Sequence, residues 1–329
     1  MIRLLKLVPD NTNIQFLKWR NVAIGISIIM IIASIALTMT RGLNFGVDFA
    51  GGQMIQVTFT QDEQAPVETL RAEIGALNIG DASIQRFGDP NQVSIRLREI
   101  ESEDGAADVA SSVSARVTSM IEAEYPGARI DSTDSVSGKV SNELFSAGAW
   151  ALGLAMIAIS LYIWLRFEWQ FGVGALFALF HDVALTFGFF ALTQLEFNLN
   201  IVAALLTIIG YSLNDTIVVY DRVRENLRKY RKMEIVPLLD LSVNETLART
   251  VMTSLTAILA LVILLFIGPE VLFGFTAAMT LGIFIGTYSS VYMAAPFLIW
   301  LKVGPDSFIP AGSGPGGGER IEHREGYTR

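Results

Sequence analysis

Six stretches of this chain are apolar over the length of a lipid bilayer, and that pattern bounds every fold open to it. Val22–Thr40 runs 19 residues without a charge, and Trp19 stands where an interfacial anchor would. The others are Ala147–Leu165, Phe171–Leu192, Leu199–Tyr220, Val251–Ile267 and Val271–Leu301. A helix satisfies its own backbone polar groups, so runs of this kind cross lipid as helices. The expected fold is an α-helical membrane protein with six transmembrane helices. The last run is too long to stand upright, so it tilts or breaks near Gly282, Gly286 or Pro296.

Charge sets the orientation. Residues 42–146 hold 17 acidic and 7 basic side chains, whereas six basic residues fall between Arg222 and Lys232. The N-terminal segment carries Arg3, Lys6, Lys18 and Arg20 against Asp10. Counting six spans from a cytoplasmic N-terminus puts the basic segment inside and the acidic one outside, as the positive-inside rule requires. The first apolar run has spanning length, so it reads as an uncleaved helix rather than a secretory signal. The expected layout is a cytoplasmic N-terminus at 1–20, a first transmembrane helix at 21–41 and an exterior domain at 42–146. A five-helix bundle at 147–302 follows, with a cytoplasmic loop at 221–250, and then a flexible cytoplasmic tail at 303–329. Within that tail, 311–318 reads as a Gly/Ser/Pro linker.

The exterior segment alternates like a small α+β domain. Gly51–Thr60 places Ile55, Val57 and Phe59 on one face of a strand. Pro66 opens a helix striped with Val67, Leu70, Ile74 and Leu77. Ala82–Phe87 is a short strand, Gly88–Asn91 a turn, and Gln92–Arg98 a strand with Val93, Ile95 and Leu97 inward. Ala106–Ala123 is a helix, and Ala128–Val136 a final, polar strand. The order βαββαβ is the ferredoxin-like plan.

Polar residues inside the spans are the candidates for chemistry. A carboxylate there costs roughly 2.5–3.5 kcal/mol on insertion scales, which makes it a functional candidate by default. Asp215, in GYSLNDTIVVYDRVREN at 210–226, lies inside the Asp221-Arg222 boundary. It is either an interfacial helix-end residue or an intramembrane proton site. His181-Asp182 sits about midway along the third span, as a packing contact or as a relay beside Asp215. Arg249-Thr250 begins the fifth span, where Arg249 either snorkels to the interface or serves as counter-charge to Asp215. Gly172, Gly174, Gly210, Gly282 and Gly286 would permit close helix approach.

Several classes are excluded. There is no cysteine, and the two histidines are too few for most zinc chemistry. No HExxH, GxSxG or P-loop pattern occurs. Asp182 and Asp215 differ in depth by a turn or more, too far for an aspartyl-protease dyad. Work by this chain must therefore draw on a source other than nucleotide.

Taken together, these segments resemble the SecF family of protein-export membrane subunits, within the SecD/SecF group and the resistance–nodulation–division superfamily. GLNFGVDFAGG at 42–52, with Gly46, Asp48, Gly51 and Gly52, is similar to the signature after that family's first helix. GYSLNDTIVVYDRVREN matches its fourth-helix signature, and HDVALTFG at 181–188 and Arg249-Thr250 fall where the family has them. Where the family has Gly-Pro at the start of the second helix, this chain reads Val136-Ser137-Gly138-Lys139. The resemblance implies a SecD-like partner, association with the SecYEG channel and a translocating preprotein, in the bacterial inner membrane with both termini cytoplasmic. It implies the proton-motive force as energy source, no cofactor, no enzymatic activity and no nucleic-acid partner. Asp215, Arg249 and Asp182 would form the proton pathway. A proton-coupled small-molecule exporter half and a non-transporting scaffold subunit remain the alternatives.

Overall fold

The structure is a computed structural model that describes residues 8–9, 12–61, 64–77, 79, 82–86, 89–97 and 106–304. The expected tail at 303–329 falls almost entirely outside these residues, as do residues 1–7, Phe87, Gly88 and Arg98.

Among the described residues, six helices are long and apolar enough to cross a membrane. The first, α1, runs Arg20–Arg41, after a 3-10 turn at Phe16–Trp19. It is followed by a two-residue strand β1 (Asn44–Phe45) and a single-turn helix α2 (Val47–Ala50). The small domain then folds as β2 (Gly52–Phe59), α3 (Val67–Ala76), β3 (Ala82–Arg86), β4 (Gln92–Leu97), α4 (Ala106–Glu124) and β5 (Ala128–Val136). Its four strands lie in the order β3-β4-β2-β5, every neighbouring pair antiparallel. That is the ferredoxin-like arrangement expected from the order of elements. Alternation dictates its core: Ile55, Val57, Val93 and Ile95 are fully buried under Leu70, Ile74, Val117 and Ile121 of the two helices.

The bundle differs from the expected outline at two places. The second spanning helix, α5, covers Gly138–Arg166, so it starts well before Ala147 and rises directly out of β5. Ser137 caps it, accepting from the Val140 N–H at 3.5 Å. A Cβ on Gly51 would lie 3.3 Å from the Gly138 Cα, so the junction without Gly-Pro is a close glycine-to-glycine approach.

The segment 221–250 is not a loop. α6 (Trp169–Thr193) and the strand β6 (Glu196–Phe197) lead into α7 (Leu199–Lys229), and α8 runs Ile235–Ile267. Only Tyr230–Glu234 separate α7 from α8. Hydropathy falls after Tyr220, but the apolar stripe continues: Val219, Tyr220, Val223 and Leu227 are buried against Leu238, Leu239 and Val243. The stripe has helical period, and it holds the two helices together where they are too charged to be read as spans. Arg224 pairs with Glu168 at 2.8 Å and Arg166 with Asp221 at 3.1 Å, so part of the basic surface is spent on the α5–α6 turn. Arg249-Thr250 therefore lies well inside α8 rather than at its start.

Of the expected alternatives of tilting or breaking, the sixth span breaks. α9 (Phe273–Ser289) passes through a π-helical turn at Ser290–Ala294 into α10 (Ala295–Trp300). Pro296 explains the position: it has no N–H to donate and its ring clashes with the carbonyl four residues back, and a wider turn relieves both. The fully buried Tyr220 donates its hydroxyl to the Ala294 carbonyl at 3.0 Å, which secures α7 against this turn.

Candidate functional site

Two buried carboxylates sit on adjacent helices of the bundle. Asp182 on α6 is fully buried, and three donors from three helices converge on it. Ser212 of α7 donates to Oδ2 at 2.5 Å, Ser289 of α9 donates to Oδ2 at 2.8 Å, and His181 Nδ1 lies 2.8 Å from Oδ1. Adjacent residues on a helix diverge by about 100°, yet His181 and Asp182 bend toward each other inside the bundle. The Nε2 of His181 has no hydrogen-bond partner, and its ring lies 6.0 Å from that of Tyr288.

Asp215 occupies the next turn of α7 after Ser212, on the same side of the helix. It is 3% exposed, and its Oδ2 has no hydrogen-bond partner. The groups of α8 that act on it are Arg249 and Thr250. Thr250 is buried, with its Oγ1 likewise unpartnered, and Arg249 is exposed. The guanidinium acts on the carboxylate through space, since the two form no direct ion pair within 4.0 Å. One turn further along α8, Ser254 bonds Thr287 of α9 at 2.7 Å. Polar side chains thus line the contacts among α6, α7, α8 and α9, in spans otherwise built mostly of apolar residues.

The glycines divide. A Cβ on Gly282 would collide with Ile208, and one on Gly286 would lie 2.9 Å from Ser212 Cβ, so both allow α9 to press against α7. A Cβ on Gly174 would collide with the Tyr220 hydroxyl. Gly210 differs from the expectation: a Cβ there would meet nothing within 4 Å, because it faces away from the bundle.

The motif after α1 is a joint. Gly51 and Gly52 have φ of +69° and +100°, a region that only glycine enters without strain. Gly46 donates its N–H to Phe197 O at 2.9 Å, and a Cβ there would collide with the Glu196 carboxylate. Asp48 Oδ2 accepts from the Leu199 N–H at 2.8 Å, where a carboxylate satisfies the first free donor of α7.

Ser212 and Ser289 are not singled out by the sequence because serine is common in spanning helices, whereas Thr250 stands beside Arg249 in its motif. The three-residue spacing of Ser212 and Asp215 was the available signal. Glu196 gave none, and Asn44 was marked only by its place in the motif at 42–52.

Comparison with known proteins decides the affiliation. The family described as protein export membrane protein SecD/SecF, C-terminal, matches residues 116–304, and the SecD/SecF GG motif matches residues 36–63. The chain belongs to the SecD/SecF protein-export family. It is 46% identical to the protein translocase subunit SecF of Rhodobacter capsulatus, over 90% of this chain and 91% of that one. It is 44% identical to SecF of Cereibacter sphaeroides, over 94% and 97%. The crystal structure of SecDF from Thermus thermophilus, a translocon-associated membrane protein, superposes with a TM-score of 0.80 at 31% identity. That match covers 89% of this chain but 39% of the longer SecDF chain. The GG motif of the family is the joint formed by Gly51 and Gly52, and the SecD/SecF C-terminal match contains Asp182, Asp215 and Arg249.

Proposed function

We propose that this chain is the SecF-type half of a proton-driven export machine in a bacterial inner membrane. It works with a SecD-type subunit beside the SecYEG channel, and the small sheet domain acts on the emerging preprotein from the exterior side. Both termini are cytoplasmic. No cofactor and no bond-making reaction enter this reading, and the proton gradient supplies the work.

The observation that carries the reading is Asp215: a buried carboxylate midway along α7, with one oxygen unpartnered and a guanidinium acting on it from α8. Two unit charges 4 Å apart interact by about 4 kcal/mol at an effective dielectric of 20, and by about half that at twice the distance. A small shift of α8 against α7 therefore changes how tightly Asp215 holds a proton. Equally, protonation removes the attraction for Arg249 and biases the helix arrangement. Asp182, fixed by donors from α7 and α9, takes its α7 donor, Ser212, from one turn before Asp215 and keeps those helices in register with α6.

The test is export measured with and without a proton gradient, in membranes carrying wild-type chain or Asp215→Asn together with the SecD-type partner. Asp215→Asn should assemble and lose the response to the gradient. A response that persists in Asp215→Asn rejects the proton role and leaves a scaffold subunit.

A further inference from the structure

The sheet itself, and not only the linker that enters it, is fastened to the turn between α6 and α7. The chain enters the domain from α1 and leaves it through α5. Arg96, in the central strand β4, instead reaches the turn between α6 and α7. Its Nη2 lies 3.1 Å from Glu196 Oε2, with the two side chains 20% and 24% exposed. Its Nη1 donates to Asn44 Oδ1 at 2.9 Å and to Phe45 O at 2.7 Å. Asn44 in turn donates to Gln194 O at 2.8 Å, and β1 pairs in parallel with β6, Asn44 opposite Glu196. Asp48 then holds the first N–H of α7.

The turn at 194–198 is thus gripped by the base of the domain, and the helix that begins there carries Ser212 and Asp215. A hydrogen-bonded helix is stiff, so a tilt at Asp215 displaces its first turn. A two-residue parallel bridge is too short to carry that displacement alone. The Arg96–Glu196 pair adds a direct attachment from the sheet to the turn. Charge-assisted bonds of this kind fix geometry as well as supplying energy.

We infer that Arg96 and Glu196 are positioning residues that transmit movement of α7 to the sheet domain. The inference rests on the proton role of Asp215. Arg96 also holds β1 through Phe45 O, so the ion pair is predicted to be replaceable by a rigid link between β1 and the turn.

The chain has no cysteine, so a new pair is unique within it. Asn44→Cys with Glu196→Cys joins registered partners on adjacent strands about 4.8 Å apart, within disulfide reach. Export is measured with and without a gradient, in membranes containing the SecD-type partner. Arg96→Gln, Glu196→Gln and the reduced cysteine pair should lose gradient stimulation while remaining assembled with the partner. Oxidation of the cysteine pair should restore it. The reduced and oxidised samples are the same polypeptide, so recovery separates transmission from a folding defect. An oxidised pair as inactive as the reduced one, or full stimulation in both glutamine variants, overturns the proposal. If Asp215→Asn abolishes stimulation while these variants keep it, transmission alone is wrong. If Asp215→Asn keeps stimulation, the proton reading fails and transmission falls with it.

Discussion

Ser212 of α7 donates to the Asp182 carboxylate of α6 at 2.5 Å, one helical turn before Asp215 on its own helix. The two buried acids are therefore linked through a single stretch of α7. Whatever moves that stretch acts on both.

Asp182 is expected to be the more costly of the two to alter for stability. Asp182→Asn removes a buried charge from His181, Ser212 and Ser289 at once, and breaking such a network costs roughly 3 kcal/mol or more. Ser289→Ala removes one donor to a charged acceptor, roughly 1.5–3 kcal/mol. Thermal unfolding in detergent should rank wild type above Ser289→Ala above Asp182→Asn. Equal midpoints for all three would contradict the network.

The glycines should respond in opposite senses. Gly282→Ala forces a methyl into Ile208 and should destabilise by roughly 1–3 kcal/mol. Gly210→Ala meets open space and should be neutral, or stabilising by about 0.5–1 kcal/mol through helix propensity. Unfolding of the purified chain measures this. Destabilisation at Gly210 comparable to that at Gly282 would count against the α7–α9 packing.

Glu196 lies outside the spans, and burial raises its pKa above the ordinary glutamate value. Arg96 pulls it down, while Asp48 and Asp134 push it up. A carboxyl held above its unfolded value binds the proton more tightly in the folded state. Its contribution to stability is therefore greatest at low pH and declines as pH rises through the interval between the two values. Arg96→Gln removes the group that opposes burial, so Glu196 should titrate at higher pH and the interval should widen. Infrared titration of the carboxyl band, with Glu196→Gln as the reference, measures the shift. An unchanged or lowered titration would refute the pairing.

Orientation can be checked with trypsin. Arg231 and Lys232 are exposed in the short turn between α7 and α8. In inside-out vesicles that turn should be cut while the sheet domain stays whole, and right-side-out vesicles should give the reverse. Cleavage of the sheet domain in inside-out vesicles would invert the topology.

Much of this protein is determined locally and so is legible in the sequence. Bilayer length and hydropathy locate six spans, and period-two alternation locates β2, β4 and the core of the small domain. A buried acid marks Asp182 and Asp215 because its insertion cost is a property of the residue itself. Excess length marks the last span for a tilt or a break, and the structure places the break beside Pro296 rather than at Gly282 or Gly286. The tertiary structure decided what depends on two distant segments meeting. The helical continuation of α7 and α8 beyond the lipid rests on Val223 and Leu227 finding Leu238 and Val243. The roles of Ser212 and Ser289 exist only because α6, α7 and α9 converge on one carboxylate. The direction faced by Gly210 depends on where neighbouring helices lie. Arg96, Asn44 and Glu196 come from three separate turns and strands. Their pairing is a product of how the sheet domain sits on the bundle, and no periodicity within any one segment encodes it.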